Sequence, residues 1–185
     1  PEADVNLSLR LSQATTIRVN HAADGQIQRV EMRLTDPDLY KYPISFITEP
    51  GAMTLSEDEQ AALRSYLLRG GFLIVDDFHG DDEWKNFEFE MGQVLPPAEY
   101  PIVDIPITHQ VFHMVFDIKE VPQVPVIGGY RQWVTSGDAV EYGHNYSSGD
   151  TRPHCRGIFD KKGRLMMTIN FNTDLGDSWQ QEGSD

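Results

Sequence analysis

The run Val75-Asp76-Asp77-Phe78-His79-Gly80 places two carboxylates and a histidine where an apolar stretch runs out. Two adjacent carboxylates and a histidine can hold a hard divalent cation. Alternatively, one carboxylate can serve as a general base with a raised pKa, because like charges at one site resist joint ionisation. A structural assignment competes with both: one aspartate caps a following helix and the other binds loop amides. A second polar run, Asn170-Phe171-Asn172-Thr173-Asp174-Leu175-Gly176-Asp177, loosely resembles a calcium loop. It lacks the full loop pattern and the closing glutamate. The competing assignment for Asn170, Asn172, Asp174 and Asp177 is an Asx-rich turn.

Other constellations are weaker. His109 and His113 stand at i, i+4, but Gln110-Val111-Phe112 between them lacks the glutamate of a zinc-protease helix. Cys155 lies between His154 and Arg156. On a strand those neighbours point to the opposite face. Cys155 is then a small buried hydrophobe, while His154 and Arg156 share a face that could meet an anion. There is no P-loop, no dinucleotide fingerprint and no G-x-S-x-G elbow.

The elements that must position these groups are legible in places. Ile44 to Thr48 is a compact β-type run ended by Glu49-Pro50-Gly51. Ser56 with Glu59 forms a capping box, and Glu57, Asp58 and Glu59 load the positive helix end with negative charge. Leu63, Tyr66 and Leu67 then make an i, i+3, i+4 stripe, and Gly70 marks the stop. The pattern predicts a helix over 57–69, followed at once by a strand over 72–75 that is apolar on both faces, as in a central parallel strand. Strand, helix and strand make a β–α–β unit with both strands parallel in one sheet. This predicts a three-layer α/β domain, with Glu49 and the Asp76-Asp77 pair on one rim. Ligands of open α/β sheets bind outside the carboxyl ends of the strands.

Elsewhere, Asp4 is expected to cap a short helix carrying Val5 and Leu9, and Asn20 to Gln26 to form a loop. Ile17–Val19 and Val30–Leu34 are weak strand candidates, and Asp36-Pro37-Asp38 is turn chemistry. A second helix is expected over 81–94, with Trp84, Phe87 and Met91 on one face, ended by Pro96-Pro97. Ile102–Ile105 is a strand candidate. His109–Phe116 is a short-helix candidate with Phe112, Val115 and Phe116 inward, and Ser136–Asp150 reads as a surface loop. Cys155–Phe159 and Leu165–Phe171 flank Asp160-Lys161-Lys162-Gly163 as a hairpin.

The chain has 185 residues, the size of one domain, and is 39% hydrophobic, enough for a real core. Its net charge of −14 opposes nucleic-acid binding and docking on anionic lipid. A single cysteine excludes an internal disulfide and a Cys-rich metal site. No apolar run reaches the roughly 18 residues of a membrane span. No signal peptide is visible, although the abrupt start at Pro1-Glu2-Ala3-Asp4 leaves room for a leader and the compartment open.

With these residues in view, the chain resembles a bacterial family, domain-of-unknown-function family 4159. The matching segments are Asn6-Leu7 to Arg10-Leu11, Leu39-Tyr40 to Tyr42-Pro43, and Tyr66 through Gly80. Tyr100-Pro101-Ile102-Val103-Asp104-Ile105-Pro106 and Asn172-Thr173-Asp174-Leu175-Gly176-Asp177-Ser178-Trp179 complete the match. The family brings no assigned reaction. The resemblance implies a mostly parallel, flavodoxin-like sheet related to class I glutamine amidotransferase-like domains, whose cysteine nucleophile sits at a strand-to-helix turn. Here that turn reads Asp76-Asp77-Phe78, with neither Cys nor Ser. It also implies one more hydrophobic element after the Gly-Asp-Ser-Trp segment, so the single domain over 1–185 is expected to lack a terminal element. Some members are exported or fused to membrane-anchored segments, which points to an exported or periplasmic setting.

The expected function is binding of a small polar ligand or a protein partner at the carboxyl-end rim, without a cofactor. Candidate binding residues are Glu49, Asp76, Asp77, His79, His154, Arg156, Asn170, Asn172, Asp174 and Asp177. The alternative is a carboxylate-based or metal-assisted hydrolase using Asp76, Asp77 and His79, with a divalent metal bound by those three. A purely structural assembly module, with Trp133 or Trp179 at a contact surface, is the third reading.

Overall fold

The structure is a computed structural model that describes residues 3–124 and 152–180. Four helices and five strands organise it: α1 (Ala3–Ala14), β1 (Ile44–Thr48), α2 (Glu57–Leu68), β2 (Phe72–Asp76), α3 (Gly80–Val94), β3 (Val103–Asp104), β4 (His154–Phe159), β5 (Leu165–Phe171) and α4 (Leu175–Gln180). Short 3-10 turns cover Pro37–Lys41, Pro50–Ala52 and Gln110–Phe112. The strands form one open sheet in the order β1-β2-β5-β4-β3.

β1 and β2 pair in parallel from Ile44 opposite Phe72 to Thr48 opposite Asp76. The crossover between them is α2, which begins with the expected capping box of Ser56 and Glu59. β5 lies parallel on the other side of β2. The sheet is mixed rather than mostly parallel, because β4 runs antiparallel to β5 and β3 antiparallel to β4. The cause is local. The Asp160–Arg164 turn, with Gly163 at φ 82° and the Asp160 N–H donating to the Arg164 carbonyl, reverses the chain at once. A reversal that short can join only antiparallel strands.

One face of the sheet is closed by α2 and α3. Leu63, Tyr66 and Leu67 from α2 and Phe87, Met91 and Val94 from α3 are buried in one cluster with Leu73, Val75, Met167 and Ile169. Arg64 fixes α2 to α3 through hydrogen bonds from its guanidinium to the carbonyls of Gln93 and Val94. On β1, Ser45 faces α2 and meets the Tyr66 hydroxyl at 3.1 Å. The alternate residue Phe46 meets Trp179 of α4 edge-on at 5.7 Å. Asn6 of α1 donates to the Trp179 carbonyl at 2.7 Å, so the first and last described helices pack together.

Several expectations are corrected. Asp4 lies in the first turn of α1 rather than before it. Ile17–Val19 and Val30–Leu34 are not strands; near them only an isolated bridge joins His21 to Ile27. Met32 and Leu34 dock on the core as side chains while their backbone finds no strand to pair with. The helix expected over His109–Phe116 is a single 3-10 turn with Phe112 buried, while Val115 and Phe116 are 64% and 76% exposed. The chain doubles back there, since the Ile118 N–H donates to the Phe112 carbonyl. The Ser136–Asp150 loop and Trp133 lie outside the described residues. Among the described residues no helix is long and apolar enough to cross a membrane.

Candidate functional site: the carboxyl-end rim of three parallel strands

β1, β2 and β5 are consecutive parallel neighbours, so their carboxyl ends open on one rim. Backbone hydrogen bonds continue beyond the strands and tie the exits together. The Glu49 N–H donates to the Asp76 carbonyl at 3.2 Å, Asp77 N–H to the Thr173 carbonyl at 3.2 Å, and Asn172 N–H to the Phe78 carbonyl at 3.0 Å. The expected convergence of Glu49, the paired aspartates and the Asn172–Asp174 segment is therefore present. Each exit also turns through a non-glycine residue with positive φ: Glu49 at 51°, Asp77 at 62° and Asn172 at 59°. Among the described residues these are the only three such positions. Side chains other than glycine enter this region at a cost, and such residues gather where the surrounding structure fixes a particular local geometry.

The two aspartates have different surroundings. Asp76 is fully buried. Its Oδ2 accepts the Gly176 N–H at 2.9 Å, at the start of α4, while Oδ1 has no hydrogen-bond partner among the described residues. Burial pushes its pKa from 3.8 up to about 8, backbone donation from Gly176 and Leu175 opposes this, and the nearby Asp174 and Asp77 add to the rise. Asp76 thus carries a proton at neutral pH. It does cap a helix, but α4, one hundred residues on, rather than the adjoining α3. Asp77 is partly open, its side chain 19% exposed, with Oδ1 3.9 Å from His79 Nδ1. His79 is buried at the N-cap position of α3 and gives that helix no side-chain cap.

The α3 start is held instead by Glu83, which sequence reasoning did not single out, and by Asn172, which it did. Glu83 Oε2 accepts the His79 N–H at 2.7 Å, and Asn172 Oδ1 accepts the Gly80 N–H at 3.0 Å. Asn172 also donates from Nδ2 to the Arg152 carbonyl at 3.0 Å. It is buried, and it works as a clamp between exits. Thr173 adds a similar link: its hydroxyl donates to the Pro122 carbonyl at 3.2 Å and accepts the Val124 N–H at 3.0 Å. Asp174 Oδ1 accepts the Asp177 N–H at 2.9 Å and so caps α4. The Asx-rich-turn assignment accounts for these contacts. Glu83 and Thr173 were in plain view, but only the folded structure shows what they touch.

His154 and Arg156 do share a face, and a carboxylate already stands there. Asp104 Oδ1 lies 3.1 Å from Arg156 Nε and 3.6 Å from His154 Nδ1. The Arg156 guanidinium carbon sits 4.1 Å from the Trp84 ring centre and 5.6 Å from that of Phe171. Asn170, near the end of β5, is buried. It lines a cavity of about 200 Å³ with Ile74, Cys155, Thr168, Leu175 and Trp179, among others. Cys155 is buried there, and burial pushes its thiol up to about 11, which keeps it an inert apolar side chain. His109 accepts the Val111 N–H, and His113 contacts Asp117 and the Ile107 carbonyl, so the two do not form a ligand pair on a helix. Among the described residues no three His, Cys, Asp or Glu side chains gather as a metal ligand set.

No curated protein matches the chain. A family model described as a domain of unknown function, DUF4159, matches residues 1–184, which is nearly the whole sequence. Together with the Gly70-to-Gly80 strand exit and the Asn172-to-Trp179 segment that build the rim, this match makes the chain a member of the DUF4159 family.

Proposed function

We propose that this domain binds a small polar ligand at the carboxyl-end rim of β1, β2 and β5, on a flavodoxin-like three-layer fold related to class I glutamine amidotransferase-like domains. The observation that carries it is the set of positive-φ exits at Glu49, Asp77 and Asn172 on three adjacent parallel strands. Glycine would serve a mere turn at less cost, yet each position keeps a polar side chain. Asn172 is buried and clamps the start of α3, whereas Glu49 is exposed and Asp77 partly exposed at the rim. The strand-to-helix turn carries no Cys or Ser, so the amidotransferase likeness is one of shape and not of reaction.

The test is Asp77→Gly. Relief of the positive φ is expected to leave stability unchanged or raise it by up to about 1 kcal/mol. A screen of small polar metabolites by thermal shift on the wild type, repeated on the variant, should find ligands whose stabilisation disappears in Asp77→Gly. Ligand shifts of equal size in both proteins would count against the rim, and hits found only among protein partners would replace the small ligand with a macromolecule.

A second function, carboxylate-based hydrolysis, is favoured by one observation: Asp77 lies 3.9 Å from His79, beside an Asp76 that keeps its proton near neutrality. Asp77 would be the reacting carboxylate and Asp76 would keep the neighbouring charge low. A metal-assisted version would need Asp76 to give up its proton and bind through Oδ1, because Oδ2 already accepts the Gly176 N–H. Elemental analysis of protein purified without chelator separates the two versions: stoichiometric metal supports the second and its absence removes it.

A further inference from the structure

We propose that Arg156, lying on Trp84 beside the rim, is the binding group for an oxyanion, either a carboxylate or a phosphate, and that Asp104 is the chain's own weak occupant of that position. It deepens the rim-binding function by naming the charge of what is bound there.

A guanidinium offers five N–H donors in a rigid fork suited to bidentate oxyanions. Among the described residues Arg156 uses one of them: Nε donates to Asp104 Oδ1 at 3.1 Å. Its plane is fixed by Trp84 at 4.1 Å and Phe171 at 5.6 Å, while its side chain stays 20% exposed. Stacking of this kind partly strips water from the cation without neutralising it, and holds the remaining donors in one orientation. His154 stands on the same strand face, within 3.6 Å of the same Asp104 oxygen.

Asp104 is poorly suited to be a permanent partner. Its side chain is 72% exposed and approaches through a single oxygen. It belongs to the two-residue strand β3 at the edge of the sheet, directly opposite Arg156 in the register. An exposed one-point ion pair contributes little, so a free oxyanion that takes two donors can displace it.

The experiment titrates the protein with inorganic phosphate and, separately, with succinate at constant ionic strength, following tryptophan fluorescence. Saturable binding of one or both is expected, and the pair of titrations decides between phosphate and carboxylate. Asp104→Asn removes the internal competitor and should tighten binding by about three- to fivefold. Arg156→Lys keeps the charge but loses the fork, and should weaken binding by about tenfold or more. No saturable binding by wild type and Asp104→Asn, an unchanged affinity in Asp104→Asn, or wild-type affinity in Arg156→Lys would each overturn the proposal. Arg156→Lys alters the stack on Trp84 and Phe171, so urea melts of both variants accompany the titrations and only variants that melt like wild type are compared. If oxyanion binding holds while no ligand depends on Asp77, the rim function alone fails; if Asp77-dependent ligands are found and no oxyanion binds, only the Arg156 assignment fails.

Discussion

Asp76→Asn should make this protein more stable in mild alkali and leave it unchanged in acid. The Asp76 carboxyl is fully buried and its pKa is raised from 3.8 to about 8, by burial first and by Asp174 and Asp77 last. The folded state therefore holds a proton that the unfolded chain has released, and the sign follows directly. The favourable contribution of the protonated group is complete below pH 3.8, declines as pH rises, and is gone above about 8. At about 1.4 kcal/mol per pH unit the full span is roughly 5–6 kcal/mol, an upper figure because water entry and movement of α4 would soften it. A measured difference of about 2–4 kcal/mol is expected, a large share of the roughly 5–15 kcal/mol that holds a domain folded. Asparagine has the shape of the protonated acid and cannot ionise. Its oxygen can accept the Gly176 N–H, and its amide takes the place of Oδ1, which has no partner among the described residues in either case. Urea denaturation at pH 4, 6 and 8.5 measures the effect. The stability curves of wild type and variant should meet near pH 4 and separate towards pH 8.5, with the variant above. Parallel curves, or a variant weakened equally at every pH, would refute the assignment of a buried proton to Asp76.

Two other outcomes follow from the same geometry. Asn172→Ala removes the acceptor for the buried Gly80 N–H and the donor to the Arg152 carbonyl, and places alanine at φ 59°; a loss of about 2–4 kcal/mol is expected in denaturant melts. Asn172→Gly relieves the backbone but not the lost bonds, so it should lose less. Cys155, buried and with its thiol pushed up to about 11, should react with a disulfide reagent at pH 8 far more slowly in the native protein than in urea; equal rates would contradict its burial.

The amino-acid sequence alone determined the elements whose signals are local. The capping box at Ser56 and Glu59, the apolar run into Asp76 and the hairpin around Gly163 all depend on residues a few positions apart, and all three form as expected. From the β–α–β pattern it also followed that Glu49 and Asp76-Asp77 share a rim, since a crossover helix makes its two strands parallel. What those residues do depended on contacts between distant segments. Asp76 holds its proton because the folded chain buries its carboxyl, and this outweighs the opposing N–H donation from Gly176 of α4, one hundred residues away. Arg156 meets Asp104 only because β3 lies opposite β4, and nothing near either residue encodes that register. The weak strand candidates at 17–19 and 30–34 failed for the same reason: a β-strand is stabilised by a partner, and no local pattern guarantees one. Periodicity and capping are properties of the chain itself, whereas burial, proton affinity and pairing belong to the space that the folded chain encloses.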